Sequence, residues 1–413
     1  MRVLLAIITI LFSGYIYAAP EIRVTDLEGR SFKGDGVRFD NNSQVTLLLK
    51  GVTPTSFACN SISGISIYSG ITPELPKTES RNFKVTLVNR DVLYGTISDT
   101  AKNGFAVYNN IIGEIPLNFE QISAIEMVGG EESVLSLSIF DGVKKAERED
   151  SIFLISGDVD SGVVLSLSSE NISIRSSLYG QDRAYKINDV RAIKLFSFPA
   201  TPEKLSQDNS EVTLYLIDNS RLRGLIRQSG VSGMTLLQGK SSYQIPLESI
   251  SFICFDNNRF IYLSDVEPLD VKEYVSLDEK SSGFLWHYQK DRGLFSQKPI
   301  IIQGREYFKG LAVHANSELT YKVDGSYRKF FATIGLTVES PGGKADDLTG
   351  SVKFIIYADG KIAYESEVFK KDSLPKDISI DIRSVKEIKL VVNDAGDGYI
   401  LDRAAWALAR VVR

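Results

Sequence analysis

An internal repeat fills residues 20–257 and constrains the fold more than any other feature of the sequence. Four segments share alternating apolar residues, a turn, further alternation and a closing glycine: Gly34, Gly95, Gly162 and Gly224. A second block follows each glycine, and its first apolar residue lies 26 to 28 residues further on: SISGISIY, QISAIEMV, DVRAIKLF and SISFICF. Because both blocks recur in the same order, the sequence predicts four homologous units.

The alternation within each unit has a period of two, which is typical of short β-strands separated by turns. About five strands per unit predict small β-barrels that resemble SH3-like or Sm-like barrels. The glycine interrupts the second strand, where we expect a bend or a bulge, because glycine has no side chain to oppose a close backbone approach. The units are predicted at residues 19–70, 80–130, 149–198 and 209–257. They are interpreted as a scaffold or as protein-contact modules.

Composition excludes several classes of function. Hydrophobic residues make up 43% and charged residues 24% of the chain, which is ordinary for a globular protein. The formal net charge of −5 provides no basic excess, so nucleic acid is not a predicted partner. The chain has only two histidines and two cysteines, which are the usual residues of zinc sites and nucleophilic catalytic triads, so neither kind of site is predicted.

The N-terminus has the order of a secretory signal peptide. Arg2 precedes the apolar run VLLAIITILF, and small residues follow, so we predict a signal peptide at residues 1–18 with cleavage after Ala18. The mature chain is predicted to have no membrane span and to be secreted or periplasmic. In that compartment Cys59 and Cys254 are open to two interpretations: a disulfide between them, or two buried thiols.

From Phe260 onward the repeat stops and a single longer unit begins. Its landmarks are FIYLSDVEP, KGLAVHANS, the hairpin GSVKFIIYADGK, and DAGDG followed by DRAAW. These motifs resemble the NPCBM/NEW2 domain, the carbohydrate-binding module found with family 98 glycoside hydrolases, over about residues 260–413. The resemblance implies a galactose-binding-like jelly-roll β-sandwich at residues 258–413, and the regular strands around the hairpin agree with it. The predicted fold class is therefore all-β.

A sugar site needs an aromatic face and a few polar groups that bond hydroxyls. In the matching motifs, the candidates for carbohydrate binding are His314, Asp402, Arg403 and Trp406. For His314 the alternative is a buried turn, and for Trp406 it is the core. Trp286 and Tyr288 are further aromatic candidates, for which packing is the favoured interpretation.

Three acids, Asp394, Asp397 and Asp402, lie around two glycines and could gather oxygen ligands for Ca²⁺. The alternative is a solvated turn in which these side chains bond nearby backbone amides. The closing motif also departs from the family pattern Asp-His-Ala-Asp-Trp, since Arg403 replaces the histidine and Ala405 the second acid.

The sequence therefore predicts an exported, non-catalytic protein whose C-terminal sandwich binds glycan, of galactose type in one version, and whose repeats form a scaffold. The alternative is a structural or interaction protein of the cell envelope, with an envelope protein bound through the repeats, whose sandwich has lost sugar binding. An enzyme is not predicted, because repeats and sandwich leave no room for a catalytic domain.

Overall fold

The structure is a computed structural model that describes residues 21–40, 43–68, 82–99, 105–128, 149–196, 211–229, 233–274, 286–296, 298–338 and 350–413. The predicted signal peptide, residues 1–18, lies outside the described residues. Strands dominate the described chain, whose helices are short 3₁₀ turns, and the all-β prediction is confirmed. Across these residues no helix is both long and apolar enough to span a bilayer.

The repeat region forms four units of similar strand composition. Unit 1 contains β1 (Glu21–Asp26), β2 (Ser31–Gly34), β3 (Gly36–Phe39), β4 (Gln44–Leu49), β5 (Val52–Ala58) and β6 (Ile62–Tyr68). Unit 2 contains β7 (Asn82–Leu87), β8 (Val92–Ser98), β9 (Phe105–Asn109), β10 (Gly113–Leu117) and β11 (Ile122–Val128). Unit 3 contains β12 (Asp150–Leu154), β13 (Val159–Leu167), β14 (Asn171–Ser176), β15 (Asp182–Lys186) and β16 (Val190–Lys194). Unit 4 contains β17 (Glu211–Leu216), β18 (Arg221–Ser229), β19 (Gly233–Gln238), β20 (Ser241–Pro246) and β21 (Ile250–Phe255).

The strand pairing is the same in every unit. The first four strands of a unit pair antiparallel in sequence order, and the last strand pairs with the first, as β6 does with β1 and β11 with β7. In unit 1 the second strand is divided into β2 and β3. A 3₁₀ turn precedes each last strand: Cys59–Ser61, Phe119–Gln121, Ile187–Asp189 and Leu247–Ser249. The resemblance to SH3-like or Sm-like barrels and the domain boundaries stay predictions.

The repeated glycine lies where two strands approach closely in every unit. A Cβ atom added at these glycines would lie close to a backbone oxygen of the neighbouring strand: 2.4 Å for Gly34, 2.3 Å for Gly95, 2.0 Å for Gly162 and 2.4 Å for Gly224. The oxygens belong to Leu48, Tyr108, Arg175 and Leu237. The predicted close approach is confirmed, and it explains why the repeat carries glycine at this position.

Units associate in pairs through their last strands. β6 of unit 1 pairs antiparallel with β21 of unit 4, and Ile65 lies opposite Ile253. β11 of unit 2 pairs antiparallel with β16 of unit 3, and Ile125 lies opposite Ile193. All four isoleucines occupy the fifth position of the second repeated block. Each pair is therefore centred on the same repeat position, as in a two-fold symmetric dimer.

A second contact joins units 2 and 4. We call the turn between the first two strands of a unit, with its flanking residues, the hairpin end: residues 27–31, 88–92, 155–159 and 217–221 in units 1 to 4. The Tyr94 N–H donates to the Ser220 hydroxyl at 3.0 Å, and the Arg223 N–H donates to the Asp91 carboxylate at 3.0 Å. Tyr94 and Arg223 both directly precede the repeated glycine, so this contact is reciprocal.

Two amides extend the reciprocal contact between units 2 and 4. The Asn109 amide donates to the Tyr94 carbonyl at 2.8 Å and to the Asp218 carboxylate at 2.6 Å. The Gln238 amide donates to the Arg223 carbonyl at 2.9 Å and also to the Asp91 carboxylate. Asp91 is 1% exposed, and its burial raises the pKa of the carboxyl to about 6.

Asp91→Asn is expected to remove one component of the pH dependence of stability. The pKa of Asp91 is higher in the folded chain than in the unfolded chain, so the folded chain retains a proton between about pH 4 and pH 6. The free energy of unfolding therefore falls as pH rises through this interval, by at most about 3 kcal/mol. Urea titrations at pH 4 and pH 7 should show a smaller fall in the variant. An unchanged fall in Asp91→Asn, or an equal change in the exposed control Asp189→Asn, would contradict this.

The C-terminal region is a β-sandwich. Its strands are β22 (Phe260–Tyr262), β23 (Asp270–Glu273), β24 (Gln289–Lys290), β25 (Ile300–Ile302), β26 (Arg305–Tyr307), β27 (Gly310–His314), β28 (Ser317–Lys322), β29 (Lys329–Leu336), β30 (Lys353–Ala358), β31 (Lys361–Glu365), β32 (Lys376–Asp381), β33 (Glu387–Asn393) and β34 (Arg403–Val412). A further 3₁₀ turn spans Leu263–Asp265. One sheet has the order β24-β27-β34-β29-β32, with β22 also paired to β34, and the other has the order β23-β28-β33-β30-β31. Trp406 and Phe354 meet in the apolar core of the sandwich.

The sandwich contacts units 1 and 4. At the hairpin end of unit 1, Glu28 forms an ion pair with Arg328. A Cβ on Gly29 would lie 2.7 Å from the ring of Phe331, which packs in one apolar cluster with Leu27 and with Phe252 of unit 4. The four units are therefore linked in the order unit 1, unit 4, unit 2, unit 3, and the sandwich contacts the first two of them.

Both cysteines are buried, and no disulfide joins them. Cys59 is 3% exposed and Cys254 is 4% exposed. The structure thus supports the second interpretation of the cysteines, two buried thiols.

Candidate functional site

Three of the predicted binding residues meet at one end of the sandwich, which we call the His314 pole. His314 ends β27, Arg403 begins β34, and the two residues lie directly opposite each other in the strand pairing. Asp402 directly precedes β34, and its carbonyl accepts the Ala315 N–H at 2.9 Å. All three are buried: His314 is 9% exposed, Arg403 1% and Asp402 0%. Three of the predicted residues therefore lie together beneath the surface of the pole, and their role in carbohydrate binding stays a prediction.

His314 is positioned to accept a hydrogen bond. Burial lowers the pKa of His314, the hydrogen bond to Ala315 raises it, and the charge of Arg403 lowers it further, with a net lowering. The neutral ring donates from Nδ1 to the Ala315 carbonyl at 2.6 Å, which leaves Nε2 as an acceptor. The ring centroid of Tyr399 lies 6.4 Å from that of His314.

Asp402 is held in an acidic environment. Its Oδ1 accepts the Ser351 N–H at 2.9 Å, and its Oδ2 has no hydrogen-bond partner among the described residues. Burial raises the pKa of Asp402 to about 8, and the charges of Asp397 and Asp394 add to the effect. Asp397 Oδ2 accepts a hydrogen bond from the Ser351 hydroxyl at an oxygen–oxygen distance of 2.6 Å.

A Ca²⁺ site requires several oxygen ligands that converge on one point. Within the described residues, no three His, Cys, Asp or Glu side chains lie close enough together to hold a metal ion, and this includes Asp394, Asp397 and Asp402. These carboxylates instead accept hydrogen bonds from Ser351, Asn316 and the Gly396 N–H. The geometry does not form a calcium shell, and calcium binding stays a prediction.

Trp406 does not belong to the surface of the pole, contrary to the predicted glycan contact. It is 1% exposed, and its ring packs edge-on against Phe354 with a centroid distance of 5.0 Å. Its side chain fills the space between the two sheets, so the core alternative is correct. Trp286 packs against Phe295, and Tyr288 packs against the core of the sandwich, as the favoured interpretation predicted.

Sequence reasoning missed two residues that lie nearer the surface of the pole. Tyr399 is half-buried and directly follows the DAGDG motif. Its place beside that motif could have identified it as a candidate. Asn316 is also half-buried, and it is the variable residue of the VHANS motif. Its Oδ1 accepts the Asp394 N–H at 3.1 Å, which ties β28 to the segment that carries Tyr399.

The opposite end of the sandwich holds a separate cavity of about 350 Å³. The residues that line it include Tyr321, Tyr327, Glu267, Leu269 and Lys322. Strand β34 connects the two ends, since Arg403 lies at the His314 pole and Val411 lines this cavity.

A family model matches the segment that forms the sandwich, from residue 260 to residue 412. Residues 260–412 are an NPCBM/NEW2 domain. No curated protein matches the chain. A CBM51 module of a family 95 glycoside hydrolase from Clostridium perfringens, solved with methyl-galactose, is 24% identical over 37% of this chain and 99% of that one, with a TM-score of 0.31.

The tandem CBM51 modules of a family 98 glycoside hydrolase from Streptococcus pneumoniae are 14% identical over 95% of this chain and 88% of that one, with a TM-score of 0.30. The sandwich is called the NPCBM domain below.

Proposed function

We propose that this chain is an exported, non-catalytic carbohydrate-binding protein. Its NPCBM domain binds glycan, and its four β units form the scaffold that carries the domain. The match of residues 260–412 to the NPCBM/NEW2 family is the observation that carries the proposal. Galactose-type sugars are the first ligands to test, and the proposed location is periplasmic or extracellular.

The His314 pole is the proposed binding surface. Tyr399 offers an aromatic ring for the apolar face of a pyranose, and Asn316 offers an amide for its hydroxyls. His314 lies directly behind Tyr399 with Nε2 as an acceptor. Asp402 and Arg403 are more deeply buried, so their proposed role is to position these groups.

A glycan array probed with the exported chain, residues 19–413, tests the proposal. Binding to a defined set of glycans is expected, and the array is run both with calcium and with a chelator. A loss of binding in chelator would support the predicted Ca²⁺. An absence of binding across the array under both conditions would overturn the proposal.

Tyr399→Ala is expected to weaken glycan binding about fivefold or more, because an aromatic contact of this kind contributes about 1 kcal/mol or more. The matched control is Tyr327→Ala, which removes a half-buried tyrosine from the opposite end of the same domain. Isothermal titration with the best glycan of the array measures both. Loss of binding in Tyr327→Ala with retention in Tyr399→Ala would place the sugar in the opposite cavity.

One observation favours a second function, an interaction protein of the cell envelope that has lost sugar binding. All four predicted sugar contacts are at most 9% exposed: His314, Asp402, Arg403 and Trp406. A pull-down from the native envelope separates the two functions. A stoichiometric protein partner that free galactose does not displace, together with a negative glycan array, would favour this alternative.

A further inference from the structure

Among the described residues, three of the four hairpin ends have a contact partner, and that of unit 3 has none. Those of units 2 and 4 contact each other, and that of unit 1 contacts the NPCBM domain. In unit 3 the equivalent residues face solvent: Ile155 is 58% exposed and Val159 is 48% exposed. By contrast, the residues equivalent to Val159 in units 2 and 4, Val92 and Arg221, are half-buried.

Neighbouring apolar side chains enlarge this exposed surface. Leu178 is 72% exposed and Tyr179 is 54% exposed, and both lie in the turn between β14 and β15. The Ser177 N–H donates to the Ser161 carbonyl at 2.8 Å, which fixes this turn beside the start of β13. Clustered exposed apolar side chains of this kind mark interaction surfaces.

The order of the contacts between units identifies a candidate partner for this surface. Contacts alternate along it: last strands join units 1 and 4, hairpin ends join units 4 and 2, and last strands join units 2 and 3. The next contact in this series is between hairpin ends, and no described residue outside unit 3 covers the hairpin end of that unit. We propose that the hairpin end of unit 3 binds the same surface of a second copy of this chain, across a two-fold axis.

The contact between units 2 and 4 supplies the geometry of this dimer. There Val92 lies opposite Arg221, and both residues are equivalent to Val159 in the repeat. Val159 therefore faces Val159 of the second copy on the axis. The Ser161 N–H and the Asp158 carboxylate occupy the places of the Arg223 donor and the Asp91 acceptor.

Such a pairing buries the four apolar side chains of each copy: Ile155, Val159, Leu178 and Tyr179. It is isologous and closes after two copies, because each surface binds itself. The dimer carries one NPCBM domain at each end of an eight-unit stack. The inference does not depend on glycan binding, since it concerns the repeats alone.

Disulfide trapping of the exported chain tests the pairing. Directly opposed strand residues have Cα atoms about 4.5–5.5 Å apart, within the range that a disulfide bridges. Val159→Cys is therefore expected to form a covalent dimer on mild oxidation. The control Val52→Cys, at a strand position 56% exposed in unit 1, is expected to stay monomeric on a non-reducing gel. The native Cys59 and Cys254 are buried.

Sedimentation velocity gives an independent readout. The wild-type chain is expected to sediment as a dimer, Val159→Lys as a monomer, and the control Val52→Lys as a dimer. A wild-type chain that stays monomeric throughout a concentration series overturns the proposal. So does a dimer that Val159→Cys does not trap, because its contact must then lie elsewhere.

Discussion

Gly34→Ala is expected to destabilise unit 1 by about 3 kcal/mol or more, because the new methyl group cannot be accommodated. Its Cβ would lie 2.4 Å from the Leu48 carbonyl oxygen, and that oxygen belongs to the strand pair itself. Relief of the clash requires the two strands to separate, which breaks their hydrogen bonds. Urea unfolding followed by circular dichroism measures the loss as a lower midpoint for the first transition.

Gly36→Ala is the matched control for this experiment. It lies two residues away in the same unit, and its added Cβ would be 3.3 Å from the flexible end of the Leu48 side chain. A change below about 1 kcal/mol is expected, because that side chain can move. Equal losses in the two variants would show that any residue larger than glycine is harmful in this segment, and that the close approach is not the cause.

The repeated glycine also shows what the sequence could predict. Alternating apolar residues and a glycine at a fixed place are local features, and they identified the strands and the close backbone approach correctly. The partner of each last strand is not a local feature. Ile65 and Ile253 pair although almost the whole repeat region separates them in the sequence. A strand with alternating apolar residues can pack against any apolar neighbour, so its pattern does not specify the partner. The contacts between units could therefore not be predicted from the sequence alone.

The positions of the candidate site residues could be predicted only in part, for a similar reason. The candidates His314, Asp402 and Arg403 come from two separate motifs. They meet at one pole because the end of β27 pairs with the start of β34. Trp406 was misplaced because β34 is buried on both faces, with Ala405 and Ala407 against a second apolar cluster. A strand covered on both faces has no alternation that separates core from surface. Tyr399 was missed since a glycine-rich turn has no periodicity.

Lys309→Met is expected to destabilise the NPCBM domain by about 3–5 kcal/mol, because it breaks a buried ion pair and leaves a carboxylate unpaired. The Lys309 side chain is 3% exposed, and Nζ lies 2.7 Å from Asp265 and 2.6 Å from Asp291. Burial lowers the pKa of Lys309, but Tyr215 of unit 4 and these two acids raise it well above its usual range. The amine is therefore charged, and it lies at the junction with the repeats.

Both tryptophans of the chain, Trp286 and Trp406, lie in the NPCBM domain, so their fluorescence in urea follows its unfolding. The control Lys329→Met breaks an ion pair whose lysine is 37% exposed, and it should cost at most about 1 kcal/mol. The double variant Lys309→Met, Asp291→Asn removes the more deeply buried of the two carboxylates that Lys309 pairs with, and it is expected to recover part of the loss. No recovery would mean that the methionine itself fails to fit the site, since the buried unpaired carboxylate is then gone.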